Sequence, residues 1–391
     1  MKKLICLISV CLLVASCEKY ETEPVSQDQT FKRPLSDSEM LLKTNLDQAA
    51  QILADVIQDE SVMNELDVLS REGREFYNIP FSELMDESKS LSASFRNLRD
   101  GFLNACSSSE SKGNSPNLAG FLAKNDCYIY CPYPASFYPK GNKSYTVVAH
   151  PIDNDVENTG YRYDGKRILK VKVNEEYTDK YMVLMVMPKD EDRDDLWKAY
   201  SDSQSNTKAD PIYVVKIGKV WCADYCGGLF EGELELKIAR GYPEYNLTTG
   251  AVTGKMSTVI PIDYPRSYAK AAIKGWTVHS NGGWYPEFTN WDTNWRPEKV
   301  QQCILVYEYD KVKESTISTN LGYKKDNVSP TITTTFKMTY SGDFLGLAEW
   351  DRAWFMRTNS NPEPGDEVKD GLTVRKTCSK FKLTTPLSIY Y

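Results

Sequence analysis

Ten cysteines and two histidines set the chemistry open to this 391-residue chain. Cys6, Cys11 and Cys17 fall in the opening stretch, leaving Cys106, Cys127, Cys131, Cys222, Cys226, Cys303 and Cys378 in the body. An odd number leaves at least one thiol unpaired unless it bridges another chain. "CYIYC" and "CADYC" place Cys127 with Cys131, and Cys222 with Cys226, at a C-x3-C spacing within the range of zinc sites. On an extended strand such a pair shares a face but lies about 13 Å apart, too far for a bond within the pair. The expected role is structural, a disulfide between segments before zinc, with buried free thiols as the alternative.

Catalytic constellations are missing from the pattern. His150 in "VVAHPID" and His279 in "WTVHSNGG" read as strand ends, and neither a GxSxG elbow nor HExxH occurs. Carboxylate-pair hydrolysis carries no short motif and stays open as the least favoured reading. "DNDVE" (Asp153, Asp155, Glu157) and "DEDRDD" (Asp190, Asp192, Asp194, Asp195) alternate carboxylates as calcium loops do. Neither fits an EF-hand, since Asn158 replaces the turn glycine in the first and Arg193 crowds the second, so solvated turns are expected. No cofactor is implied. The strongest binding clue is "GWTVHSNGGWYPEFTNWDTNW", where Trp276, Trp284, Tyr285, Phe288, Trp291 and Trp295 crowd together among Asn, Asp, Glu and Gly. Aromatic faces beside amides and carboxylates suit a sugar or a protein interface; the competing expectation is a buried core.

Elements that could position these residues change character along the chain. Leu46, Ala49, Ala50, Leu53, Val56 and Ile57 recur at helical spacing after a capping pair Asn45 and Gln48. Shorter helices are expected at Val62–Leu69 and across Leu84, Leu91, Phe95, Leu98 and Phe102. "SSSESKGNSPN" then breaks the stripe. Beyond it the period becomes two, in "YMVLMVM", in "GELELKIA" with Leu234, Leu236 and Ile238 inward, and in "TITTTFKMTY". Helices first and strands after predict an α+β chain: a small N-terminal helical unit, then mainly antiparallel β-sandwich domains. The expected boundaries are a leader at 1–16, an acidic tether at 17–40, helices at 41–106, a linker at 107–118, a β domain at 119–262 and a C-terminal β-sandwich at 263–391.

The opening "MKKLICLISVCLLVASC" has two lysines, a short apolar run and small residues before Cys17, the pattern of a secretory signal too short to span a bilayer. Its end, Val14-Ala15-Ser16-Cys17, resembles the lipobox of bacterial lipoproteins, which implies lipidation of Cys17 and membrane attachment through that lipid. The acidic "EKYETEP" that follows is similar to the export signal of Bacteroidota surface lipoproteins, implying a lipid-anchored outer-membrane protein exposed at the cell surface, with the periplasmic face as the alternative. Loss of Lys2 and Lys3 with the leader takes the formal charge from −7 to −9, the wrong sign for nucleic acid. The expected function is capture of a glycan or protein ligand without catalysis; the alternative is a structural or adhesive envelope lipoprotein.

Overall fold

Ser36 starts the first helix with a capping box. In the computed structural model its hydroxyl accepts from the Glu39 N–H while the Glu39 carboxylate accepts from the Ser36 N–H at 2.8 Å, satisfying donors that a helix start leaves unpaired. Helix α1 therefore runs Asp37–Val56, absorbing the end of the expected tether and beginning well before Asn45. The structure describes residues 34–71, 78–110, 117–139, 144–152, 156–189, 211–324, 331–359 and 361–390.

The apolar stripe of α1 is buried at Leu46, Ala49, Ala50 and Leu53, as its spacing predicts. α2 (Glu60–Leu66) follows an Asp59 cap, and the third expected helix divides into α3 (Phe81–Leu84), α4 (Ser90–Ser94) and α5 (Arg96–Glu110). Glu65 of α2 accepts from the Asn97 and Leu98 amides, both at 2.9 Å, and so caps α5 from a neighbouring helix. α6 (Leu118–Lys124) opens on Asn117, so helix occupies both margins of the expected linker.

These helices lie on a six-stranded sheet and share its core. Its strands are β1 (Asn78–Pro80), β2 (Tyr128–Tyr130), β3 (Tyr145–Ala149), β4 (Asn158–Tyr163), β5 (Ile168–Val173) and β6 (Met182–Met187), ordered β1-β2-β6-β3-β4-β5. β3 and β6 run parallel at its centre and are buried along their whole lengths. That explains "YMVLMVM" as a continuous apolar run, because a strand covered on both faces needs no polar alternation. Leu53, Phe102, Leu122, Val147 and Leu184 belong to one cluster. The helical segment and this sheet are thus one packed unit, not two.

The second unit is a pair of packed antiparallel sheets. One contains β7 (Ile212–Cys222), β10 (Trp284–Asp292), β13 (Val368–Lys369), β14 (Leu372–Lys376), β15 (Phe381–Thr384) and β16 (Leu387–Tyr390), with β7 paired to β10, β15 and β16. The other contains β8 (Leu234–Tyr245), β9 (Val252–Tyr264), β11 (Gln301–Tyr323) and β12 (Ile332–Asp351), ordered β12-β11-β8-β9. Val220, Leu236, Ile262, Ile304, Trp350 and Phe381 fill the space between them. α7 (Arg266–Lys274) and α8 (Arg352–Thr358), unmarked by any long periodic stripe, follow β9 and β12.

β8 departs from its expected half-solvated state. Leu234, Leu236 and Ile238 point into the core as read, yet Glu235 and Lys237 on the opposite face are also buried. The register of β11 on β12 shifts between Tyr309 and Glu314, and beyond that corner Phe336 reaches Gly241 of β8 and Gly254 of β9. Phe336, Met338 and Leu321 thereby form a small second core with Ala239, Cys303 and Leu305. A Cβ on Gly254 would lie 2.4 Å from the Phe336 ring, so the close approach requires glycine there.

The two units meet across a buried charge cluster. Arg266 and Lys270 of α7 are 1 % and 0 % exposed. Glu175 accepts from Tyr133 Oη at 2.7 Å, Arg266 Nη2 at 3.2 Å and Lys270 Nζ at 3.3 Å. Lys270 also reaches Asp179 at 2.9 Å and donates to Thr178 at 2.6 Å, while Lys274 pairs with Asp179 at 2.8 Å. Burial pushes the Glu175 carboxyl up, but Arg266 and Lys270 outweigh it and hold it below the ordinary value. For Asp179 burial is likewise outweighed, by the ammonium groups of Lys274 and Lys270.

Carboxyls depressed in the folded state contribute stability that is complete above their unfolded values and is lost as pH falls through the folded ones. The urea midpoint is therefore expected to fall between about pH 5 and pH 3 more steeply in wild type than in Glu175→Gln. Parallel slopes in the two proteins would show that this cluster carries no such linkage.

Candidate functional site

The aromatic segment folds inward. Trp284, Trp291 and Trp295 are 7, 3 and 0 % exposed. Trp291 meets Trp295 edge-on at 5.7 Å and Trp350 at 5.3 Å, and Trp295 packs on Phe355 at 4.9 Å. The Trp295 indole N–H donates to the Lys299 carbonyl at 2.8 Å, so its polar edge is satisfied inside the core. Trp276 is half-buried and edge-on to Phe137 at 5.0 Å, and half-buried Tyr285 is edge-on to Tyr264 and Tyr268. The expected surface platform of Trp276, Trp284, Tyr285, Trp291 and Trp295 is corrected at three tryptophans: Trp291 and Trp295 pack between the sheets, where rings of this size bury the most apolar area, and Trp284 is buried on the other face of β10, paired with Trp221 and 5.4 Å from the Lys382 ammonium.

All seven body cysteines are free thiols. Cys127 and Cys131 flank β2 and are buried, with the Cys127 thiol pushed up to about 12 by burial. The other pair differs. Cys222 ends β7, and the chain then turns so that Cys226 adopts φ +57° with its N–H bonded to Asp224 Oδ1 at 3.1 Å. This turn removes the extended separation expected from the spacing and brings the Cys226 thiol into hydrogen-bond contact with Cys222, which together with burial raises the Cys226 thiol strongly. Among the described residues no group of three or more His, Cys, Asp or Glu could hold a metal, so the two pairs lack further ligands for the zinc alternative.

His150 Nδ1 accepts from the Ile152 N–H at 3.1 Å and its ring lies edge-on to Phe230, whereas His279 sits at φ +47° stacked near Tyr268. Asp153, Asp155 and the run Asp190–Asp195 lie outside the described residues, as do the leader and Cys17. Glu157 pairs with Lys172 at 2.5 Å. Among the described residues no helix is long and apolar enough to cross a membrane.

A cleft opens elsewhere, in the first unit. About 670 Å³ lies between the α1–α2 corner and the β3–β5 edge of the sheet. Glu60, Asn64 and Asp67 line it from the helices; Arg162, Tyr163, Asp164 and Tyr181 line it from the sheet and its turns. The Arg162 guanidinium lies 4.3 Å from the Tyr181 ring centre and its Nη1 donates to Tyr177 Oη at 3.3 Å. Tyr177 is fixed in turn by Thr146 Oγ1 at 2.8 Å and by its ring packing at 4.7 Å from Tyr181. Burial lowers the Arg162 guanidinium, but the hydroxyls of Tyr181 and Tyr177 leave it above its ordinary value.

The sheet side of the cleft is shaped by a tight β4–β5 hairpin. Asp164 accepts from the Lys166 and Arg167 amides, both at 2.9 Å, and Gly165 takes φ +92°. The Arg167 and Lys166 amides hold the Asp164 carboxyl below its ordinary value. Asp-Gly between the strand-like runs "YRY" and "RILKV" was the available clue to this hairpin. Arg162 and Tyr181 share no short motif, since β5 and the turn after it separate them in sequence.

No family model, no curated protein and no solved structure matches this chain.

Two outcomes follow from these placements. Trp295→Ala is expected to cost about 3–5 kcal/mol in urea denaturation, the range for deleting a large core ring; a loss under about 1 kcal/mol would contradict its burial. Mild oxidation with diamide is expected to remove two of the seven thiols and link Cys222 to Cys226, read by alkylation and peptide mapping, with Cys127 and Cys131 still free. A cross-link involving Cys127 or Cys131 instead would show that the turn at Asp224 does not govern thiol reactivity.

Proposed function

We propose that this chain is a lipid-anchored outer-membrane protein, carried at the cell surface through Cys17, that captures a glycan ligand in the cleft between α1–α2 and β3–β5. The observation that carries the reading is the cleft itself: a volume within the usual range for ligand sites, offering tyrosine faces beside a guanidinium, an amide and carboxylates. Tyr163 supplies an apolar plane for the C–H face of a sugar, Tyr181 holds the Arg162 guanidinium in place, and Arg162, Asn64, Glu60 and Asp67 supply donors and acceptors for the sugar's hydroxyls. Binding, not hydrolysis, suits Asp164. A glycosidase needs a carboxyl that stays protonated near neutrality, whereas Asp164 is held ionised by two backbone amides.

The 18–391 protein should bind a subset of glycans on an array, and Tyr181→Ala should weaken that binding about tenfold or more, the scale of one stacking or charged hydrogen-bond contact. Unaltered binding by the variant would remove the cleft from the reading; binding only to proteins would replace the glycan with a protein ligand. Protease shaving of intact cells separately tests location. Wild type should be membrane-bound and digested, and Cys17→Ala should leave the membrane fraction. Protection of wild type on intact cells would place it on the periplasmic face.

A further inference from the structure

A second site is built into the other unit, around a buried arginine. Arg375 of β14 is 2 % exposed, and its Nη2 donates to Thr358 Oγ1 at 2.8 Å and to the Phe355 carbonyl at 3.4 Å. Its Nε and Nη1 have no acceptor among the described residues. No carboxylate among them pairs with it either; Asp366 and Glu363 act on it only at longer range, and burial brings the guanidinium down to about 10. A charged group buried with donors unmet is costly, and natural structures avoid it unless something else supplies the acceptors.

Arg375 forms part of the wall of a cavity of about 330 Å³, together with Trp350, Trp354, Glu349, Asp366 and Lys376. Trp354 is half-buried and lies 4.3 Å from the guanidinium carbon, and the Phe355 ring is 5.0 Å away. Neighbouring carboxylates are already engaged. Glu367 is paired with Lys376 at 3.3 Å and with Lys382, which outweigh burial and keep it ionised, and Glu349 accepts from Thr319. The unmet capacity of the cavity is therefore for a negative acceptor group, beside an aromatic plane.

We propose that this cavity binds a carboxylate-bearing sugar of the hexuronic acid type, its carboxylate accepting from the Arg375 guanidinium and its ring lying against Trp354. The charge selects the acid over the neutral sugar, because a neutral hydroxymethyl group leaves the buried guanidinium uncompensated. The tryptophan selects a ring over a bare carboxylate. The site lies in the second unit, separate from the cleft beside α1 and α2, and does not depend on ligand capture there.

Titration calorimetry and thermal shift of the full mature chain with D-galacturonate, D-galactose and acetate test it. Galacturonate is expected to bind saturably and raise the melting temperature, with galactose and acetate at least tenfold weaker. Arg375→Gln is expected to lose about ten- to a hundredfold in galacturonate affinity, the scale of hydrogen bonds to a charged group. Should that buried substitution fail to fold, Trp354→Ala is expected to weaken galacturonate while leaving the much weaker acetate response unchanged. Equal response to galacturonate and galactose, acetate binding as tight as galacturonate, galacturonate affinity unchanged in a folded Arg375→Gln or in Trp354→Ala, or no saturable galacturonate binding would each overturn the proposal.

Discussion

Glu175 is the contact on which the arrangement of the two units depends. It stands at the end of β5 in the first unit and receives Arg266 and Lys270 from α7 in the second, with the Tyr133 hydroxyl closing the set. Two cations buried to this degree would be intolerable in an apolar seam. Supplied with Glu175 and Asp179, they instead fix which face of α7 meets the first unit, while Tyr268, Ala269 and Ala271 belong to the second core. Ionic pairing of this kind contributes specificity of docking more than net stability, since desolvation consumes much of the Coulomb gain.

The architecture was legible where the apolar side chains of an element lay on one face. α1 and β8 announced themselves through Leu46, Ala49, Leu53 and through Leu234, Leu236, Ile238, and the α+β order followed from the change of period along the chain. What escaped was set by contacts distant in sequence. The polar residues Glu235 and Lys237 looked solvated because nothing local reveals that this face of β8 is covered too, with Lys237 against the Tyr309 ring and Phe336 of the distal hairpin reaching Gly241. Likewise the helices carry their own periodicity but no sign that their buried stripe rests on β3 and β6, so they read as a separate unit. α7 and α8 are short, and their tertiary environment, not intrinsic periodicity, sustains them.

Candidate sites were legible only in part, for a related reason. Aromatic density in residues 276–295 is a true feature of the chain, but density alone does not tell a binding platform from a core, and tertiary packing buries Trp291 and Trp295 between the sheets and Trp284 against Trp221 and Lys382 on the other face. Trp354, by contrast, stands alone in "DRAWFMR" and becomes notable only when α8 sets it against Arg375 from another strand. The C-x3-C pairs divide in the same way. Identical spacing leaves Cys127 and Cys131 on either side of a strand, and brings Cys222 and Cys226 together because Asp224 shapes a turn.

Charge state separates binding from catalysis more sharply than residue type does. Asp164 at the cleft, Glu175 at the junction and Glu367 at the Arg375 cavity are each held below their ordinary values by amides or cations. An ionised carboxylate accepts hydrogen bonds and orients sugars or partner side chains, but it delivers no proton. Glu287 on β10 is different: burial raises its carboxyl despite the hydrogen bond from Thr289 Oγ1. Its partner belongs to its own strand, and it lines neither the cleft beside α1 nor the Arg375 cavity. Glu287 thus differs from Asp164, Glu175 and Glu367 in the neighbours that set its charge, one hydroxyl against burial where the others have amides or cations.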